Sequence, residues 1–139
     1  MSASHQGRKL RSRITVEGPD RAAHRTFLRA MGLDDEAIAR PFVGVMSTHG
    51  ENTPCSMSLG PQAQAAKMGV AMAGGTPFEF TTISVSDGVS MAHQGMRMSL
   101  VSRELIADSI ELVVRGHAYD ALIGFAGCDK TLPGIMMAM

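Results

Sequence analysis

Three short apolar runs, each followed by a loop and then by a stretch of helical character, constrain this chain more than any other feature. They lie at residues 42–46, 78–85 and 121–125. The first is bounded by Pro41 and by Ser47-Thr48-His49-Gly50, as a buried parallel strand should be. The second has the β-branched and aromatic content of a strand and leaves it through Ser86-Asp87-Gly88. The helical stretches that follow cover residues 57–72, 98–115 and 132–139. The first of these is Ala-rich, is closed by Gly74-Gly75, and accommodates Pro61 only in its first turn. In the second, Val101, Leu105, Ile110 and Val113 form an apolar stripe and Gly116 ends the helix. Strand, helix, strand, helix, strand, helix predicts an α/β fold: three layers, with helices on both faces of a mostly parallel sheet joined by right-handed crossovers.

Ahead of these elements, residues 1–13 carry Arg8, Lys9, Arg11 and Arg13 without apolar periodicity and read as a solvated basic arm. Residues 14–139 then form the domain. An entry helix is expected through Ala23, Phe27, Leu28 and Met31, with Asp20 as its N-cap and Gly32 as its stop. The apolar residues 135–139 end without a cap, so the domain is expected to be incomplete. A length of 139 residues suits one domain, and a formal net charge of +0 argues against a nucleic-acid partner. Two cysteines and no signal-peptide pattern fit a reducing cytoplasm, where such cysteines bind metal or do redox chemistry, and no run approaches a membrane span.

Ligands of open parallel sheets bind beyond the carboxyl ends of the strands. Cys55, in the loop between the first strand and its helix, falls there, as does Asp87 after the second. After the third strand comes Gly127-Cys128-Asp129-Lys130-Thr131-Leu132-Pro133-Gly134, where a thiolate, a carboxylate and an amine stand side by side. This stretch reads either as a plain strand-to-helix loop or as part of a site with Cys55 and Asp87. Soft thiolates select iron–sulfur clusters, copper or zinc, and carboxylates select hard cations such as magnesium. Two well-separated cysteines make structural zinc the weaker option, although His49 and His93 could complete a ligand set. Lys130 beside Asp129 is either a surface ion pair or, as a carbamate, an oxygen ligand for magnesium.

Several of these stretches together resemble a known family. They are Thr53-Pro54-Cys55, the run from Ser86-Asp87-Gly88-Val89-Ser90-Met91 through Gly95-Met96-Arg97, the segment from Ser99 to Ser109 and the Gly127 to Gly134 motif. Over residues 11–139 the chain resembles the amino-terminal part of the dihydroxy-acid and sugar-acid dehydratase family. The resemblance implies dehydration of 2,3-dihydroxy-3-methyl carboxylic acids to 2-oxo acids in the biosynthesis of valine, leucine and isoleucine. It implies that Cys55 and Cys128 are two of three cysteine ligands of a [2Fe-2S] cluster, and that Asp87, Asp129 and carbamylated Lys130 bind Mg2+. It also implies a homodimer at full length. The third cysteine, a further carboxylate and the catalytic serine belong to regions of the family that this chain lacks. No residue here is therefore assigned as the base, and the chain alone is expected to be inactive. Two alternatives accompany this reading: a sugar-acid dehydratase of the same family, and a non-catalytic module in which the two cysteines form a zinc site or a disulfide.

Overall fold

The structure, a computed structural model, describes residues 9–139. Three strands form one sheet: β1 (Phe42–Ser47), β2 (Thr76–Thr81) and β3 (Ala121–Phe125). Their order is β2-β1-β3 and both pairings are parallel, with Phe42 opposite Thr76 and Val43 opposite Ala121. The three-layer α/β architecture expected from the sequence is present. The second strand is shorter than its apolar run and starts earlier, at Thr76, so that Pro77 lies within it. An edge strand tolerates a proline because one side of its backbone has no ladder to serve.

The pleat of β1 divides the core. Val45 packs with Ala63 and Val70 of α5 (Leu59–Met72) on one face, joined by Val43, Ile123 and Phe125. On the other face Met46 packs with Ile106 and Ile110 of α7 (Met96–Gly116) and Ile135 of α8 (Thr131–Ala138). A third cluster, built from Val16, Ile38, Phe42, Phe78 and Tyr119, closes the amino-terminal end of the sheet. There the Asp120 carboxylate accepts the Phe42 N–H at 2.8 Å and the Ser12 N–H at 3.0 Å, tying the start of β1 and the entry segment to β3.

Two expectations need correction. Asp20 does not cap the entry helix: it lies within a 3-10 turn, Pro19–Arg21, and α2 (Ala22–Ala30) begins after it without a side-chain cap. The stripe expected on α7 is also misplaced in part. Ile110 is buried, but Val101 and Leu105 are more than half exposed. The inward face is Ser99, Ser102, Ile106, Ala107 and Ile110. Close approach of α8 explains the change. A Cβ built on Gly134 would stand 2.9 Å from the Arg103 carbonyl oxygen and from Ile106 Cγ2, so the glycine lets α8 lie on the Ile106 face of α7 and turns Val101 and Leu105 outward. Of the basic arm expected over residues 1–13, residues 1–8 lie outside the described part. Ser12 is buried, and Arg13 opens α1 (Arg13–Val16). α3 (Asp35–Ala39) is capped by Asp34, which accepts the Ala37 N–H at 2.8 Å.

Candidate active site

Because all three strands run in parallel, their carboxyl ends meet at one edge, and every candidate residue lies beyond it. After β1 the chain enters α4 (Pro54–Met57), so Cys55 sits within a short helix and not in the loop expected there. After β3 it passes through Gly127 to Cys128. A Cβ built on Gly127 would be 2.7 Å from the Cys55 carbonyl carbon and closer still to its oxygen, so only glycine lets these two backbones touch. The Cys128 turn is fixed by Thr131, whose hydroxyl accepts the Cys128 N–H at 3.0 Å and donates to the Cys128 carbonyl at 2.8 Å. Both cysteines are free thiols, Cys55 exposed and Cys128 half-buried.

A second group of side chains converges beside this pair of loops. Lys130 donates from Nζ to Asp87 Oδ2 at 3.0 Å and also to Asp129 Oδ2. Asp87 is the first residue of α6 (Asp87–Ser90), and its other oxygen accepts the hydroxyl of Ser99, a buried residue of α7. Residues from the ends of β2 and β3 and from α7 are thus joined through one carboxylate. Side-chain exposure is 20% for Asp87 and 24% for Lys130 but 65% for Asp129, so the first two form the inner part of the group. The ammonium of Lys130 holds the Asp129 carboxyl below its usual range. Conversely, the hydrogen bonds to Asp129 and then to Asp87 raise the Lys130 amine above its ordinary value.

The donor chemistry suits two kinds of metal group. Among the described residues no three His, Cys, Asp or Glu side chains are clustered around one point. Asp87 and Asp129 nevertheless share a single cationic partner, and an oxygen-bearing Lys130 would complete a hard donor set there. On the other side, the hydroxyls of Thr53 and Ser56, which flank Cys55, are buried and have no hydrogen-bond partner, as do those of Thr48 and Ser84 nearby along the same edge. Spare donors beside a thiol are consistent with a sulfur-rich group that accepts weak hydrogen bonds. The residues present therefore fit both groups.

His49 and His93 make local backbone contacts. The His49 ring packs on Gly60 and its Nδ1 lies 3.2 Å from the Ser56 carbonyl oxygen, whereas His93 Nδ1 accepts the Gly95 N–H at 3.0 Å. Two supporting residues, Ser99 and Thr131, have roles that their place in the sequence does not announce. The recurrence of Ser99 and Ser102 three apart inside a long helix is the one readable signal, since polar residues in a buried helical face need partners.

A sequence profile described as "Dihydroxy-acid/6-phosphogluconate dehydratase N-terminal" matches residues 40–139. The chain is 68% identical over 132 residues to "Dihydroxy-acid dehydratase 3" of Bradyrhizobium diazoefficiens, covering 95% of this chain and 23% of that protein. It is 66% identical over 131 residues to "Dihydroxy-acid dehydratase 2" of Bordetella bronchiseptica, covering 94% and 23%. The match to "Dihydroxy-acid dehydratase" of Pelagibacter ubique is 58% identical over 137 residues, covering 99% and 24%. The chain thus spans about a quarter of the length of these relatives. With 100 consecutive residues accounted for by that profile, the chain belongs to the dihydroxy-acid/6-phosphogluconate dehydratase family, in its amino-terminal region.

Proposed function

We propose that this chain supplies part of the active site of a dehydratase that converts 2,3-dihydroxy-3-methyl carboxylic acids to 2-oxo acids, as in branched-chain amino-acid biosynthesis. The observation that carries the reading is the joining of Asp87, Asp129 and Lys130 beside the touching Cys55 and Gly127 backbones, which puts soft and hard donors at one sheet edge. In the reaction a proton leaves C2, the hydroxyl leaves C3 as water, and the resulting enol ketonises, so atoms balance without an external oxidant. Cys55 and Cys128 would be two of the three thiolate ligands of a [2Fe-2S] cluster, and Asp87, Asp129 and Lys130, the last as a carbamate, would be ligands of Mg2+. When bound, the cluster supplies a Lewis acid for the departing 3-hydroxyl, and magnesium supplies a hard charge for the carboxylate and the 2-hydroxyl.

The protein's own residues do the positioning. Ser99 orients one oxygen of Asp87, Thr131 shapes the turn that carries Cys128, and Gly127 keeps the two cysteine-bearing segments in contact. The reading extends to a cytoplasmic homodimer; among the described residues no helix is long and apolar enough to cross a membrane.

The test is a chimaera in which this chain replaces the matching segment of the Bradyrhizobium relative, purified without oxygen. The chimaera should show visible charge-transfer absorption and form 2-oxo acid. Cys128→Ser should remove the absorption together with activity. Asp87→Asn should keep the absorption and lose activity and magnesium dependence. A colourless parent chimaera, or loss of colour in Asp87→Asn, refutes this division of ligands.

A further inference from the structure

The helix α6 carries Asp87 at its first position, yet it is four residues long, and a helix that short does not hold itself in place. The corner that joins it to α7 does so. The His93 ring spans that corner: Nδ1 lies 3.0 Å from the Gly95 nitrogen, at the N-cap of α7, and Nε2 lies 3.4 Å from the Val89 carbonyl oxygen in α6. An amide N–H only donates and a carbonyl only accepts, so both contacts are satisfied by one form of the ring, the neutral tautomer protonated on Nε2. The His93 carbonyl also accepts the Met96 N–H at 3.1 Å. Ala92, between the two helices, is held at φ +63, a left-handed conformation that a Cβ-bearing residue rarely adopts unaided. On the inner side of the corner the Ser90 hydroxyl donates to the Ser86 carbonyl at 2.7 Å and lies 3.8 Å from Met96 Sδ. Thus α6 is fixed to α7 at its carboxyl end, and Asp87, at its other end, meets Ser99 of α7 and Lys130.

We propose that His93 is a positioning residue for the hard-cation site: as a neutral imidazole it staples α6 to the start of α7 and so sets the Asp87 carboxylate against Ser99 and Lys130. The proposal rests on the reading of Asp87 as a magnesium ligand and deepens it, because the geometry of the donor set then depends on a residue outside that set. Both ring nitrogens are used on backbone, so His93 is itself no ligand. When the staple is cut, α6 drifts and its carboxylate meets the cation less often in the right place. The thiolate side is built from α4 and the Gly127 turn and does not depend on this corner.

The experiment compares His93→Ala, His93→Asn, His93→Gln and Gly95→Ala with the parent chimaera. Asparagine places an acceptor where Nδ1 stands and glutamine a donor where Nε2 stands, so each keeps one of the two bonds. A Cβ built on Gly95 would fall 2.9 Å from His93 Nδ1, whereas its φ of −58 and ψ of −25 suit alanine, so Gly95→Ala displaces the ring without straining its own backbone. Each protein is read by calorimetric titration with Mg2+ in bicarbonate, by visible absorption, and by hydrogen exchange of a peptide spanning residues 86–98. His93→Ala and Gly95→Ala should weaken magnesium binding roughly 10-fold, the lower end of what loss of a ligand's outer support costs, with absorption unchanged. Exchange over α6 should quicken by roughly 10-fold or more, and the asparagine and glutamine variants should fall between these and the parent. Unchanged magnesium affinity in His93→Ala overturns the proposal, as does a parallel loss of absorption, which would make His93 a general support of the fold. If the parent chimaera takes up no magnesium, the reading of Asp87 as a ligand fails; quicker exchange over α6 in His93→Ala then still upholds the staple, and unchanged exchange sinks it.

Discussion

Replacing Gly127 by alanine tests whether the contact between the two cysteine-bearing segments organises the site. The built Cβ falls 2.7 Å from the Cys55 carbonyl carbon and 3.3 Å from Leu59 Cδ1, and the first of these lies below the 3.0 Å that real Cβ atoms essentially never cross. The leucine methyl can rotate aside. The carbonyl belongs to backbone at the start of α4 and moves only if that helix shifts away from β3. Ordinary overpacking costs about 1–3 kcal/mol, and a clash against backbone belongs at the top of that range or above it. For a chain of this size, about 3 kcal/mol corresponds to a fall in melting temperature of roughly 10 °C. Gly69→Ala is the matched control, because nothing stands within 4 Å of its built Cβ and it lies inside α5. That change should stabilise by about 0.5–1 kcal/mol. Urea denaturation and thermal melts of the two variants beside the parent give the comparison, and the chimaera reports iron content. If Gly127→Ala melts within about 2 °C of the parent and keeps a full complement of iron, the contact does not hold the site together and the reasoning is refuted.

In the chimaera, Ser99→Ala should leave visible absorption unchanged while raising the magnesium concentration for half-maximal activity roughly 10-fold or more, because the Asp87 carboxylate, a magnesium ligand in the proposed assignment, loses its hydrogen bond from Ser99; a shift in the spectrum with no change in magnesium response would contradict this. In the chain kept free of bicarbonate and magnesium, where Lys130 keeps its amine, the Asp129–Lys130 pair should contribute stability only within a window of pH. The lowered Asp129 carboxyl makes its share present above pH 3.8, its ordinary value, and lost as pH falls further, whereas the raised Lys130 amine makes its share present below 10.5 and lost as pH rises beyond it. Asp129→Asn should flatten melting temperature against pH at both ends, and an unchanged profile would show the pair to be inert. Ala118, at φ +54 after the end of α7, holds a left-handed conformation that costs a Cβ-bearing residue about 1–2 kcal/mol, so Ala118→Gly should stabilise by roughly 0.5–1 kcal/mol in urea titration; destabilisation would argue against the strain.

Elements with a strong period or a bounded apolar run are legible in the amino-acid sequence alone: β1 and β3, the long α7, and the gathering of Cys55, Asp87, Cys128, Asp129 and Lys130 beyond one sheet edge. What escapes it depends on how elements approach one another. Val101 and Leu105 obey helical spacing as well as Ile110 does. Periodicity alone does not reveal that Gly134 brings α8 close to Arg103 and Ile106. Cys55 reads as a loop residue because it lies between the first strand and a helix expected from residue 57, yet Pro54 opens a short helix of its own, in whose first turn its missing N–H has no role.

The Asp120 carboxylate carries a consequence for the order in which the chain assembles. It holds the Ser12 N–H across a separation of 108 residues, a loop whose closure from an unfolded chain would cost about 4 kcal/mol in entropy, more than one such hydrogen bond returns. The same carboxylate reaches the Phe42 N–H, and the Asp120 N–H donates to the Phe42 carbonyl, so it is positioned only once β1 and β3 have paired. Docking of the entry segment is thus contingent on the sheet and comes after it. In native-state hydrogen exchange the Ser12 amide should open at a lower free energy than the amides of β1, releasing the front of the chain while the edge that carries Cys55 and Cys128, at the opposite end of the sheet, stays closed.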